Sequence, residues 1–278
     1  MAAKKLIPMA ICYDFDGTLA PGYMQEYDFI PAIGVSPDEF WAESGELAKK
    51  SDADTILAYM RLMLKKAAEA GVRVTRDSFR AFGSTVALFP GVESWFGRIN
   101  GYASSRGIKA EHFIISSGLR EMIEGTPIAG EFARIYASGF MYDANDAAVW
   151  PALAINYTTK TQFLFRINKG SHEVYDNSTI NKYVPKEERP LPFANIVYIG
   201  DGETDIPCFR LVKNEGGFAI AVYRPRDSGS KTQTERLLAE GRANMIAPAD
   251  YREGSILESS VKAIVDRIEA TARIGYRG

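Results

Sequence analysis

Cysteine and histidine are scarce in this chain of 278 residues, which holds two of each: Cys12 and Cys208, His112 and His172. Two cysteines cannot build a disulfide framework, so they read as buried thiols in a reducing compartment, and cytoplasm is the expected location. With so few nitrogen and sulfur donors, and none at paired spacing, a zinc site is not expected; any metal should sit on oxygen. Long apolar runs are missing too. The opening stretch MAAKKLIPMAICYDFDGT carries about eight apolar residues before its first acid, too short for a membrane span or a signal sequence. Nor does one charge dominate. With 33 basic and 35 acidic residues the formal charge is -2, which leaves no basic footprint for nucleic acid. No repeat or low-complexity tract is visible.

What the chain does have is enough apolar content, 46%, to bury a core in one large domain or two linked ones. Residues 6–13 (LIPMAICY) are continuously apolar, the pattern of a strand buried on both faces of a parallel sheet, and Asp-Gly-Thr stops it. From about Ala20 to Phe89 the spacing turns helical. Ser36-Pro37-Asp38-Glu39 forms a capping box with proline at the first helical position and predicts a short helix through Trp41. A longer helix is predicted over 53–70, with Ile56, Leu57, Met60, Met63 and Leu64 on one face and Gly71 past its end.

Beyond Phe89-Pro90-Gly91 the pattern predicts a helix from Val92 to Ser105, a strand over His112–Ile115 and a polar turn at Ser116-Ser117-Gly118. Residues 135–157 read as a hairpin about Asp143–Asp146, with Pro151 marking an edge or bulge. A helix over 160–168 ends at Gly170, and 171–192 reads as a long surface loop. A strand over Ile196–Ile199 then meets Gly200-Asp201-Gly202, followed by a helix through Val212, a strand over Phe218–Val222 and terminal helices. This alternation predicts an α/β fold: a Rossmann-like, doubly wound parallel sheet with a helical insertion after the first strand. Ligands bind at the carboxyl ends of strands in such sheets, and the turns at Asp14, Ser116 and Asp201 all lie at such ends.

Asp14 and Asp16, at i and i+2, face the same side of an extended chain while Phe15 points away. Two carboxylates this close favour a shared proton or a bound cation, and Mg²⁺ suits a phosphate site. One acid can attack as nucleophile while the other shuttles a proton; Asp14 is assigned the first role and Asp16 the second. The ordinary alternative is a turn that merely caps a strand. Asp201 and Asp205 share one side of the next helix start. Asp201 reads as a metal ligand or a helix cap, and Asp205 as a direct ligand, a ligand through water, or a group that orients Asp201. Ser116 and neighbouring N–H groups at a helix start suit phosphate oxygens, or simply cap the helix. Lys160 is a cation for phosphate and Asp14, placed against the helix dipole's preference; Lys169, near the helix end, is the weaker candidate.

In order, DFDGT at Asp14, an apolar strand ending at Ser116, Lys160, and GDGETD at Asp201 and Asp205 resemble the four motifs of the haloacid dehalogenase superfamily. The resemblance implies Asp14 as nucleophile, Asp16 as acid/base, and Ser116, Lys160 and Thr18 as phosphate-binding residues. It implies Mg²⁺ on Asp14, Asp201 and the Asp16 carbonyl, with Asp205 a further metal-site residue. It also implies a core over residues 1–19 and 90–278, with 20–89 as a helical cap of the first type. The expected activity is Mg²⁺-dependent hydrolysis of a small phosphate monoester through an aspartyl-phosphate, with no nucleic-acid or membrane partner. Phosphotransfer within the same superfamily is the alternative, and a non-catalytic phosphate- or partner-binding module comes behind it. Asp16 argues against dehalogenases, and the lack of a span argues against P-type ATPases. Order and spacing most resemble the phosphoserine phosphatase branch, yet DGT stands for its usual DST and Tyr23 for its cap glutamate, so phosphoserine is not the expected substrate. Glu26 and Arg61 could reach a substrate from the cap, although solvated side chains are the commoner use.

Overall fold

The structure is a computed structural model and describes residues 6–275. Strand β1 (Ile7–Tyr13) lies at its centre, because its continuous apolar run can be buried on both faces. Around it run β2 (Ile108–Leu119), β3 (Phe132–Tyr142), β4 (Ala148–Leu153), β5 (Ile196–Gly200), β6 (Phe218–Tyr223) and β7 (Met245–Pro248). They form one seven-stranded sheet in the order β4-β3-β2-β1-β5-β6-β7. Every pairing is parallel except β3 with β4. The order diverges on either side of β1, so the carboxyl end of β1 is the crevice where a doubly wound sheet takes its ligand.

Alternation along β1 feeds two cores. Met9, Ile11 and Tyr13 pack in one cluster with Trp95 and Phe96 of α5 (Val92–Ser105) and Val261 and Val265 of α11 (Ile256–Gly275). Ala10 and Cys12 pack in the other with Phe163 and Leu164 of α7 (Lys160–Lys169), Phe209 of α9 (Ile206–Asn214) and Leu237 of α10 (Ser228–Ala239). Helices therefore cover both faces, as the period-2 pattern of a buried strand demands.

Between β1 and α5 the chain is helical: α1 (Phe29–Ala32), α2 (Pro37–Ser51), α3 (Thr55–Glu69) and α4 (Arg76–Gly83). The capping box at Ser36 and Glu39 is present. The helix it opens does not stop near Trp41 but runs on to Ser51, since no proline or glycine cap intervenes before Asp52, left-handed at φ 48°. Asp54 caps α3 by accepting from the N–H groups of Ile56 and Leu57. Of the expected stripe, Ile56, Met60 and Met63 are buried, whereas Leu57 is exposed. Met60, Met63, Phe29 and Phe79 belong to the same apolar cluster as the α5 side of the sheet. There α4 meets α6 (Arg120–Glu124) so closely that a side chain at Gly83 would strike the Met122 carbonyl.

Three stretches depart from expectation. Strand β2 is much longer than His112–Ile115: it stays extended through Ser116, Ser117 and Gly118, because Ser116 pairs with Ala137 and, across a bulge, Leu119 pairs with Ser138. The stretch 171–192 holds a short helix, α8 (Asn177–Asn181), and is tied down by two cations of α7. The buried Arg166 guanidinium donates to the carbonyls of Glu173, Val174 and Asp176, and Lys169 donates to those of Ile180 and Lys182. Strand β7, four residues ending in proline, was not expected; so short an edge strand carries too little periodicity to read. The hairpin β3–β4 forms as read, with Pro151 on the edge strand opposite Phe140. Among the described residues no helix is long and apolar enough to cross a membrane.

Candidate active site

At the end of β1 the Asp14 N–H still reaches β5, donating to the Ile199 carbonyl at 2.9 Å. The chain then folds back on itself: the Phe15 carbonyl accepts from Thr18, Leu19 and Ala20, and the Gly17 N–H from its side bonds the Ala20 carbonyl. This loop needs Gly17 twice over. Its φ is 75°, a left-handed value, and a β-carbon there would collide with the Asp201 carboxylate. Glycine thus lets the two acidic turns, on neighbouring strands, come into contact.

Lys160 is the hub. It is fully buried, and its Nζ lies 2.7 Å from Asp14 Oδ2 and 2.8 Å from Asp205 Oδ1. Burial alone would discharge an ammonium, but the Asp14 and Asp205 charges more than offset that and hold it above its ordinary value. The same pair of carboxylates explains why a lysine tolerates a helix start. Asp205 is saturated: Oδ1 accepts from Lys160 and from the Tyr198 hydroxyl at 2.7 Å, and Oδ2 from the N–H groups of Asp201 and Gly202 at 3.1 and 3.4 Å. Tyr198, unforeseen from the sequence, is the one residue with a polar tip inside the apolar strand IVYIG.

Oxygens of Asp14, Asp201 and Asp205 lie within 4.8 Å of one another. Burial pushes the Asp14 carboxyl up to about 6, with Lys160 pulling it down and Asp205 pushing it further up. Asp16 and Asp201 are also raised, first by burial and then by neighbouring carboxylates. Crowded carboxyls with raised affinity for protons are those a cation would relieve, and an all-oxygen donor set suits a hard divalent ion.

Asp14, Asp16, Ser116, Ser117 and Asp201 line a cavity of about 690 Å³. Asp16 Oδ1 accepts from the Met24 N–H at 3.0 Å, which ties the carboxylate to the start of the helical segment. Ser116 is buried in the wall, where its Oγ accepts from the Gly118 N–H at 3.0 Å. It lies inside β2, and α6 begins four residues later at Arg120, so the expected helix start beside Ser116 is absent; pairing with β3 keeps the backbone extended. Thr18 does not form part of the wall. It is fully buried, its hydroxyl has no partner among the described residues, and its carbonyl accepts from the Tyr251 hydroxyl at 2.9 Å. Lys169 is engaged in the 171–192 segment, Arg61 is exposed, and Glu26 accepts from Trp41 Nε1 at 2.8 Å. The helical segment contributes Tyr23, which stands where the resemblance expects a cap glutamate, and Gln25, Trp41 and Tyr59, which short turns and mixed helix faces gave no reason to single out.

Comparison with known proteins agrees with this architecture. The model of the haloacid dehalogenase-like hydrolase family matches residues 11–210. The chain belongs to that family. An uncharacterised protein of Borreliella burgdorferi is 30% identical over 277 residues, covering 90% of this chain and 93% of that one. Among solved structures, a phospho-aspartyl intermediate analogue of phosphoserine phosphatase superposes with a TM-score of 0.55 at 15% identity, covering 92% of this chain and 99% of that one. A haloacid dehalogenase family hydrolase of Salmonella enterica serovar Typhi gives 0.52 at 17% identity, covering 78% of this chain and 63% of that one. At such identities the superpositions establish the shared fold.

Proposed function

We propose that this hydrolase is a Mg²⁺-dependent phosphatase that cleaves a small phosphate monoester through an aspartyl-phosphate on Asp14. The observation that carries the reading is the placement of Asp14: its carboxylate lines the cavity beside Asp16 while Lys160, 2.7 Å away, holds it from behind. Asp14 Oδ1 is oriented by the Phe15 N–H at 2.7 Å, so the nucleophile is fixed before substrate arrives. Asp14 attacks phosphorus; the P–O bond to the leaving group breaks, and Asp16, raised by burial and the Asp14 charge, gives its proton to the departing oxygen. Asp16 then takes a proton from the water that hydrolyses the acyl phosphate. The Ser116 hydroxyl and the Lys160 ammonium stabilise the phosphoryl oxygens.

Asp14, Asp201 and the Asp16 carbonyl would hold Mg²⁺, which supplies charge neutralisation between the attacking carboxylate and the phosphate dianion. Asp205, whose oxygens already accept four hydrogen bonds, braces Asp201 and Lys160. Residues 20–89 serve as the cap, and cytoplasm is the proposed location, supported by the two buried free thiols. Phosphate release from an ester panel in Mg²⁺ tests the reading. Asp14→Asn should abolish turnover and keep the folded circular dichroism spectrum; a turning-over Asp14→Asn enzyme would overturn the assignment of the nucleophile.

A further inference from the structure

We infer that the ester carries a planar, ring-bearing leaving group of about nucleoside size, and that Gln25 reads its polar edge. This inference rests on the phosphatase reading and extends it to a substrate class. At about 690 Å³ the cavity falls within the range that encloses ligands much larger than a phosphorylated amino acid.

Its walls differ in kind. The charged lining residues, Asp14, Asp16, Asp201, Glu203 and Arg224, all come from the ends of β1, β5 and β6, and every residue that 20–89 adds to the lining is uncharged. What that wall offers is ring surface. Tyr23 is 54% exposed, lies 5.0 Å from Trp41 between ring centroids, and faces a space also bordered by Tyr157, 48% exposed. The Trp41 ring is fixed by its hydrogen bond to Glu26 and packs on Tyr59 at 5.9 Å. Large aromatic faces left open inside a cavity are stacking surfaces for another ring.

The second observation is independent of the first. Gln25 is 2% exposed, lines the cavity, and its Oε1 has no hydrogen-bond partner among the described residues. The Ser117 hydroxyl on the opposite wall is buried and unpartnered in the same way. Leaving a buried amide unsatisfied is costly, and an amide both donates and accepts, as a heterocyclic edge does. The same three-residue turn, Met24–Glu26, supplies the N–H that holds Asp16, so recognition of the ring is registered against the proton donor.

The test compares kcat/KM in Mg²⁺ for nucleoside 5′-monophosphates, glucose 6-phosphate and phosphoserine. The nucleotides should be preferred by about tenfold or more. In the Asp14→Asn background, which retains ester unhydrolysed, calorimetry should show nucleotide binding weakened about tenfold by Gln25→Leu and by Tyr23→Ala. Preference for phosphoserine or the sugar phosphate would overturn the inference and leave the phosphatase standing. Unchanged nucleotide affinity in Gln25→Leu, with its fold verified, would remove Gln25 from the site. Failure to cleave any ester would overturn the phosphatase reading and this inference with it.

Discussion

The two walls of the cavity teach different things about how a protein prepares for chemistry. On the sheet side the charges around Asp14 are partnered: Asp14 with Lys160, Lys160 with Asp205, Asp205 with Tyr198 and two backbone N–H groups. That charge network is assembled before any ligand arrives, which is what preorganised catalysis requires. On the helical side the opposite holds: open aromatic rings and a buried amide oxygen with nothing to bond. A wall with unmet bonding capacity is one whose stability has been traded for recognition. Substitutions on the first wall should therefore cost stability, and those on the second should cost binding alone.

The largest effect on this contrast should come from Lys160→Met. It strands Asp14 and Asp205 in a buried site with no cation, and loss of one member of such a group costs about 3–5 kcal/mol. Urea melts should show the loss along with abolished turnover. A variant as stable as the parent would mean that the two carboxylates are held neutral and the sheet-side wall is not the charged lattice described here.

Next in size is a pH dependence from the network behind the same strand. Trp95 Nε1 donates to the Tyr13 hydroxyl, which bonds His112 Nδ1, while His112 Nε2 faces Asn100 Oδ1 at 3.0 Å. Both ring nitrogens are thus used by a neutral imidazole, and burial pushes its pKa down to about 4. A histidine depressed on folding contributes stability that is complete above its unfolded value of about 6.5 and is lost as pH falls from there toward about 4. Between about pH 7 and pH 5 this histidine removes about 2 kcal/mol, which urea melts should register as the difference between the pH profiles of the parent and His112→Gln. Raised carboxyls such as Asp14 act in the opposite sense, adding stability as pH falls, so parallel profiles in the parent and the variant would show that His112 is not depressed by folding.

Much of the sheet-side wall was legible in the sequence and little of the helical side. A strand buried on both faces must be continuously apolar, so β1 and β5 announce themselves, and acids placed just after such strands have nowhere to go but the crevice. Lys160 was harder: its helix position argued against it, and only the three-dimensional meeting with Asp14 and Asp205 reverses that argument. Lys169 and Arg166 look alike in sequence, yet both cations serve backbone carbonyls of the 171–192 segment. Ser116 was placed at a helix start because serine and glycine signal turns, whereas pairing with β3 overrides that local preference. Gln25 gave no signal at all. A glutamine in a three-residue turn looks solvated until burial and an unpaired oxygen are seen together.

The smallest effects decide the contrast most sharply, because they compare two removals of one polar group. Tyr198→Phe takes a hydroxyl from Asp205, which keeps its bonds to Lys160 and two N–H groups, and should cost about 1 kcal/mol in urea melts. Gln25→Leu, nearly conserving volume, takes away an oxygen that bonds nothing, so the same melts should show no loss or a small gain, within about 0.5 kcal/mol of zero or on the stabilising side. Unsatisfied capacity is a cost the folded protein carries without ligand, and deleting it returns that cost. If Gln25→Leu instead destabilises as much as Tyr198→Phe, the amide is a structural group of the turn, and the division of the cavity into an assembled charge network and a waiting wall does not stand.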